Sequence, residues 1–183
     1  MGRPGILDLS VAKRLLVLRH AQAGHTFTGD DHSRTLTEKG QRHSREVGRW
    51  LLESQLWPEA TIVSDAMRAR QTFIWIADEL GDKAATPYLD DRLYMASSRT
   101  MCSVINETPE AVQTLLVIAH MPGVQDLAME LASRDSEETA VLSMAEHWPT
   151  AGLAVFDVDK PWAELDGREA LLTRFRSPSP QRF

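Results

Sequence analysis

Arg19 and His20 stand together at the end of an apolar run, in "RLLVLRHAQAG". Ser64 closes a second run, "ATIVSD", with Arg68 and Arg70 following, and His120 closes a third, "TLLVIAH". A neutral imidazole can attack phosphorus, and a guanidinium fork holds phosphoryl oxygens and neutralises charge as the group transfers. A second histidine, cationic or hydrogen-bonding, steadies the same oxygens. Alone, Arg19 and His20 also fit a polar strand end facing water; His120 and Arg68 in matching contexts favour a site.

Such a pocket forms only if the three runs are neighbouring parallel strands, because open α/β sheets bind ligands beyond the carboxyl ends of their strands. Leu15 to Leu18 is a continuous apolar run, the mark of a strand covered on both faces. Helical spacing of Val47, Trp50, Leu51 and Leu52 predicts a helix over 37–54, with Thr37 as N-cap. A second helix is expected over 67–80, stopped by Gly81. "DDRLYMASSRTMCSVINE" reads as a loop and a helix, and another helix follows Met121, Pro122 and Gly123. "AGLAVFDVD" and "ALLTRF" read as two strands pairing antiparallel at an edge. The expectation is an α/β fold, a three-layer α/β/α sandwich with a mostly parallel central sheet and an antiparallel edge. Residues 1–12 read as an N-terminal arm, 13–176 as one domain and 177–183 as a flexible tail.

Composition narrows the partners. The 183-residue chain is long enough for one sizeable core, and its net charge of -6 argues against nucleic acid or an anionic membrane as partner. Arginine supplies 16 of the 20 basic residues, so an anion would be held by a local cluster. No apolar stretch approaches the roughly 18 residues of a membrane span, and "MGRPGILDLSVAKR" lacks the apolar segment of a signal peptide, so a cytoplasmic location is expected. Cys102 excludes an internal disulfide and fails as a Cys-x5-Arg nucleophile, because Thr108 stands where the arginine would be. The six histidines show no zinc-type spacing, and the phosphate loops Gly-x4-Gly-Lys-Ser/Thr and Gly-x-Gly-x-x-Gly are missing, as is the Gly-x-Ser-x-Gly elbow. Neither metal nor cofactor is expected.

In order and spacing, "LLVLRHAQAG", "RTLTEKGQRHSREVGRWL", "IVSDAMRARQT", "DDRLY" and "LLVIAHMPGV" resemble the histidine phosphatase superfamily, which includes the cofactor-independent phosphoglycerate mutases. The short length and the "RTLTEKG", "SDAMRARQT" and "HMPG" blocks are most similar to the SixA-type phosphohistidine phosphatases. The resemblance implies a phosphoglycerate mutase-like fold and a metal-independent phosphatase in which His20 becomes phosphorylated. It further implies that Arg19 and Arg68 bind the phosphoryl group and that His120 is the second pocket histidine. Arg34 matches a family position without a catalytic role. Two departures stand out: Ala21 replaces the glycine of the Arg-His-Gly motif, and the family's proton donor near "DDRLY" has no clear counterpart, with Asp90 and Asp91 the nearest carboxylates. A phosphohistidine substrate expels an imidazole that can already carry a proton, so a missing acid favours that substrate.

The expected substrate is phosphohistidine in a protein; the alternatives are a small phosphate ester and an inactive phosphate-binding module. A monomer is expected. Arg70 reads as a solvated residue pairing with Asp65 or Asp78, Gln71 and Thr72 as turn supports, and His25, His32, His43 and His147 as surface or loop histidines. Gly40 and Gly48 are expected to permit close helix packing.

Overall fold

The computed structural model describes residues 12–26 and 29–179. The expected N-terminal arm lies outside them apart from residue 12, and so does most of the expected tail. Six strands form one sheet: β1 (Lys13–Arg19), β2 (Ala60–Ser64), β3 (Pro87–Asp90), β4 (Thr114–Ala119), β5 (Leu153–Val158) and β6 (Ala170–Arg176). Their order across the sheet is β3-β2-β4-β1-β5-β6. β3, β2, β4 and β1 are mutually parallel, whereas β5 runs antiparallel to both β1 and β6. This is the expected mostly parallel sheet with an antiparallel edge.

Alternation along β1 divides the core. Leu16 and Leu18 join Val63, Leu116 and Ile118 under α1 (Glu38–Glu53) and α2 (Met67–Leu80), burying Val47, Leu51, Phe73 and Ile76. Leu15 and Val17 face the opposite layer, with α3 (Ser98–Asn106), α4 (Gly123–Leu131) and α5 (Glu138–Glu146). Both faces of the central strands are therefore dry, which explains why they read as unbroken apolar runs.

Local signals account for the helix ends. Thr37 caps α1 by accepting from the Gly40 amide, and Gly81 ends α2 with a positive φ of 57°. Gly48 does permit close helix packing, since a Cβ there would meet the Ile76 carbonyl of α2 at 2.8 Å. Gly40 instead abuts a loop, with a Cβ position only 2.2 Å from the Gln22 carbonyl just past His20.

Two readings need correction, and one strand lies outside the sequence expectations. "PYLD" is a strand, β3, too short and too exposed at Tyr88 and Leu89 to signal itself by hydrophobicity. His43 is buried rather than superficial, because it lies on the inner side of α1 between Gly40 and Val47. Arg70 is exposed but pairs with neither expected aspartate: Asp65 binds His32, and Asp78 binds Arg45.

Candidate active site

β1, β2 and β4 bring their carboxyl ends to one edge because β4 lies between the other two and all three run parallel. That edge carries Arg19 and His20, Ser64 and Asp65, and His120. Just past β1, the His20 amide still donates to Ala119 of β4, while the Ala151 amide caps the Arg19 and His20 carbonyls. The nucleophile candidate is thus fixed from both sides by backbone.

The four residues singled out in the sequence come together around His20. Its Nδ1 lies 2.7 Å from the Ala21 carbonyl oxygen, which can only accept, so Nδ1 carries the proton. Nε2 therefore keeps its lone pair, and Arg68 Nε donates to it at 3.3 Å. Burial, reinforced by the positive charges of Arg68 and Arg19, lowers the His20 pKa from 6.5 to about 4. The imidazole is neutral at physiological pH, with the Nε2 lone pair that a nucleophile would need.

His120 packs against His20 with ring centroids 5.1 Å apart. Its Nε2 shares a 2.7 Å hydrogen bond with Ser64 Oγ, leaving a buried Nδ1 without a partner. Burial first, then the neighbouring His20 and Arg68, push its pKa down to about 3. Ser64 at the end of β2 therefore orients a histidine at the end of β4.

Arg68 sits on the first turn of α2 and is 3% exposed despite its charge. Asp31, on the short 3-10 turn Asp31–Ser33, offsets that burial: Arg68 Nη1 donates to its carbonyl at 2.6 Å and Nη2 to its carboxylate at 2.9 Å. Thr72 ties the helix to the loop after His20 by donating to the Arg68 carbonyl and accepting from the Ala21 amide. Arg19 is half-buried; its Nη1 donates to the Trp148 carbonyl at 2.7 Å, and its buried Nε has no partner. A tetrahedral oxyanion beside His20 Nε2 would supply an acceptor for Arg19 Nε and, where Ser64 Oγ–H donates to His120 Nε2, for His120 Nδ1–H.

Asp31, Tyr94, His32 and Asp65 are site neighbours that sequence reasoning missed. Asp31 accepts from Arg34 at 2.8 Å and from the Tyr94 hydroxyl at 2.8 Å, as well as from Arg68. The hydrogen bonds from Arg34 and Tyr94, with Arg68 behind them, hold its carboxyl far below the usual carboxylate range. Tyr94 lies edge-on to both His120 and His32, at 5.5 and 4.9 Å. "DDHSRTLT" reads as a polar loop, and no local spacing signals that its first turn folds onto Arg68.

Asp90 is not in the pocket. It is buried on β3, where it caps the following turn and binds the Arg92 guanidinium through both carboxylate oxygens, at 3.0 and 2.7 Å. Arg92 keeps its carboxyl below its ordinary value. Asp91 is exposed, and among the described residues its side chain makes no hydrogen bond to the pocket. Ala21 is fully buried and is not among the described residues with positive φ, so the methyl group in place of the family glycine strains nothing.

Among the described residues, no three His, Cys, Asp or Glu side chains are placed to hold a metal ion, and no helix is long and apolar enough to cross a membrane. A cavity of about 900 Å³ between α3, α4 and residues 163–168 shares no residue with the histidine pocket.

Comparison with known proteins agrees with this fold. The family model for the histidine phosphatase superfamily, branch 1, matches residues 15–96. An uncharacterized protein of Mycobacterium tuberculosis is 35% identical over 162 residues, spanning 88% of this chain and 99% of the relative. Phosphohistidine phosphatase SixA of Escherichia coli is 29% identical over 119 residues, 64% of this chain and 73% of that protein. A solved structure designated a SixA phosphohistidine phosphatase, from Nakamurella multipartitia, superposes with a TM-score of 0.81 at 27% identity, covering 92% of this chain and 98% of the other.

Proposed function

This chain belongs to the histidine phosphatase superfamily and is a phosphatase, and from that premise we propose that it removes the phosphoryl group from phosphohistidine in a protein through a covalent intermediate on His20. The observation that carries the mechanism is the locked tautomer of His20, with Nδ1–H held by the Ala21 carbonyl and a neutral Nε2 beside Arg68.

In the first step Nε2 attacks phosphorus in line with the departing imidazole nitrogen, which leaves with the bonding electron pair. Arg19 and Arg68 hold the equatorial oxygens, and His120 Nδ1 is the buried group left to bond another. In the second step water attacks the phosphorus on His20, and inorganic phosphate departs. The carboxylates Asp31 and Asp90 are both held ionised by arginines, so neither has a proton to give. An imidazole that is already protonated at its other nitrogen leaves without help from either carboxyl group, which fits phosphohistidine as a substrate.

Purified protein is expected to dephosphorylate a phosphohistidine-bearing protein in the presence of a chelator, with a phosphorylated His20 trapped by acid-free mass spectrometry. His20→Ala is expected to be inactive. Normal turnover by that variant refutes the mechanism, and an unaltered phosphohistidine protein refutes the substrate.

A further inference from the structure

Phosphate esters pose a problem that phosphohistidine does not: the departing alkoxide is a strong base and needs a proton as the P–O bond breaks. Asp31 accepts from three donors and Asp90 is clamped by Arg92, so the aspartates already described are committed as anions. His120 is buried, neutral and tied to Ser64. Among the described residues, the pair His32 and Asp65 stands at the rim.

We propose that His32, held by Asp65, is the acid that protonates departing oxygens, and that it gives this phosphatase a second activity on phosphate monoesters. The proposal rests on His20 being the nucleophile. His32 Nε2 lies 2.9 Å from Asp65 Oδ1, and a carboxylate can only accept, so Nε2 is the N–H of this bond. Proton exchange with a substrate then runs through Nδ1, which no other group engages by hydrogen bond among the described residues. This is a proton-transfer group oriented by a carboxylate, an arrangement suited to acid and base roles in turn.

Position supports the role. The ring series His20, His120, Tyr94, His32 runs from the buried nucleophile to the rim, with successive centroids 5.1, 5.5 and 4.9 Å apart. His20 is 9% exposed, whereas the His32 side chain is 40% exposed and the Asp65 side chain 35%. The phosphoryl group belongs at the deep end and the leaving group at the wet end, where a spent acid can regain its proton from solvent. Both partners are also tethered to the clamp. His32 follows Asp31, which grips Arg68, and Asp65 follows Ser64, which orients His120.

In the ester reaction His20 Nε2 bonds to phosphorus as the P–O bond breaks. The departing oxygen keeps that electron pair and takes the Nδ1 proton of the His32 imidazolium. Water then attacks phosphorus and gives a proton to His32, while the P–N bond breaks and its electrons return to His20. The sum is ester plus water giving alcohol plus phosphate.

The test is steady-state kinetics on a series of monoesters, from p-nitrophenyl phosphate to an alkyl phosphate, with wild type, His32→Gln and Asp65→Asn. His32→Gln is expected to lose ~100-fold on the alkyl ester and under about 5-fold on p-nitrophenyl phosphate, so that rate depends more steeply on leaving-group basicity. Asp65→Asn should follow the same trend with smaller amplitude. Equal losses across the series, no loss on the alkyl ester, or a wild type inactive on every ester each overturn the proposal. The phosphohistidine-protein assay is a separate arm: ester turnover showing this steepening alongside an untouched phosphohistidine protein refutes the substrate reading and leaves the role of His32 standing.

Discussion

Two aspartate–arginine pairs sit near the same edge of the sheet, and their fates differ. Asp31 and Asp90 each belong to a short 3-10 turn, Asp31 as its first residue and Asp90 as its cap. Asp90 pairs with Arg92, two residues away, and the pair closes its own turn. Asp31 pairs with Arg68, 37 residues away on another element, and Arg68 donates to His20 Nε2. A carboxylate next to a family motif by numbering can be spent on local structure, while one in an unremarkable loop reaches the pocket because a buried guanidinium needs an anion.

Removing the arginine of the pocket pair should have the largest effect. Arg68→Ala deletes the proposed phosphoryl clamp, the donor to His20 Nε2 and the partner of Asp31 together, and turnover of phosphohistidine should fall ~1,000-fold. Asp31→Asn keeps a hydrogen-bond acceptor but removes the charge that positions Arg68. A loss of about 10-fold in kcat/KM is expected, and a wild-type value would show that Arg68 is held without it. Both are read from initial rates on one substrate.

The same contrast explains what was legible in the sequence. The three strands, α2 with its Gly81 stop, Thr37 and the quartet Arg19, His20, Arg68 and His120 all announce themselves through apolar runs, caps or motif order, which are local signals. Asp31, Tyr94, His32 and Asp65 join the pocket through contacts spanning 33 to 63 residues, which no periodicity encodes. β3 was missed because a four-residue edge strand with exposed Tyr88 and Leu89 lacks an apolar signature. His43 misled because a lone histidine among Arg42, Ser44 and Arg45 reads as surface until the inner side of α1 is known.

Acid should separate the two regions in a third way. Both aspartates are held below the ordinary carboxylate pKa by their hydrogen-bonded arginines, Asp31 far below it, whereas burial pushes the pocket histidines down. His20 is depressed to about 4 and His120 to about 3, against 6.5 for a free imidazole. Between about 6.5 and 4 the unfolded chain binds more protons, so the stability contributed by the neutral histidines is complete above that window and declines as pH falls through it. Urea midpoints should drop from pH 7 to pH 4, and less steeply in His120→Asn. The rate of His20 phosphorylation should hold to about pH 5 and be halved near pH 4. A half-point near 6.5 would mean that the nucleophile is not the buried imidazole described.

The smallest catalytic effect is expected at the outer pair. Asp90 is 4% exposed, and its carboxylate accepts from the Arg92 amide as well as the guanidinium, so Asp90→Ala removes a turn cap and should cost about 1 kcal/mol in urea denaturation. Arg92 is more exposed and also binds Glu107, so Arg92→Ala should shift the midpoint less than Asp90→Ala does. Neither should change kcat/KM for phosphohistidine by more than about 3-fold, because β3 meets the rest of the sheet only through β2 and the Asp90 carboxylate makes no hydrogen bond to the pocket quartet. A loss of catalysis in Asp90→Ala comparable to that of Asp31→Asn would make the two pairs equivalent, and would return Asp90 to consideration as the acid that its place in the motif suggests.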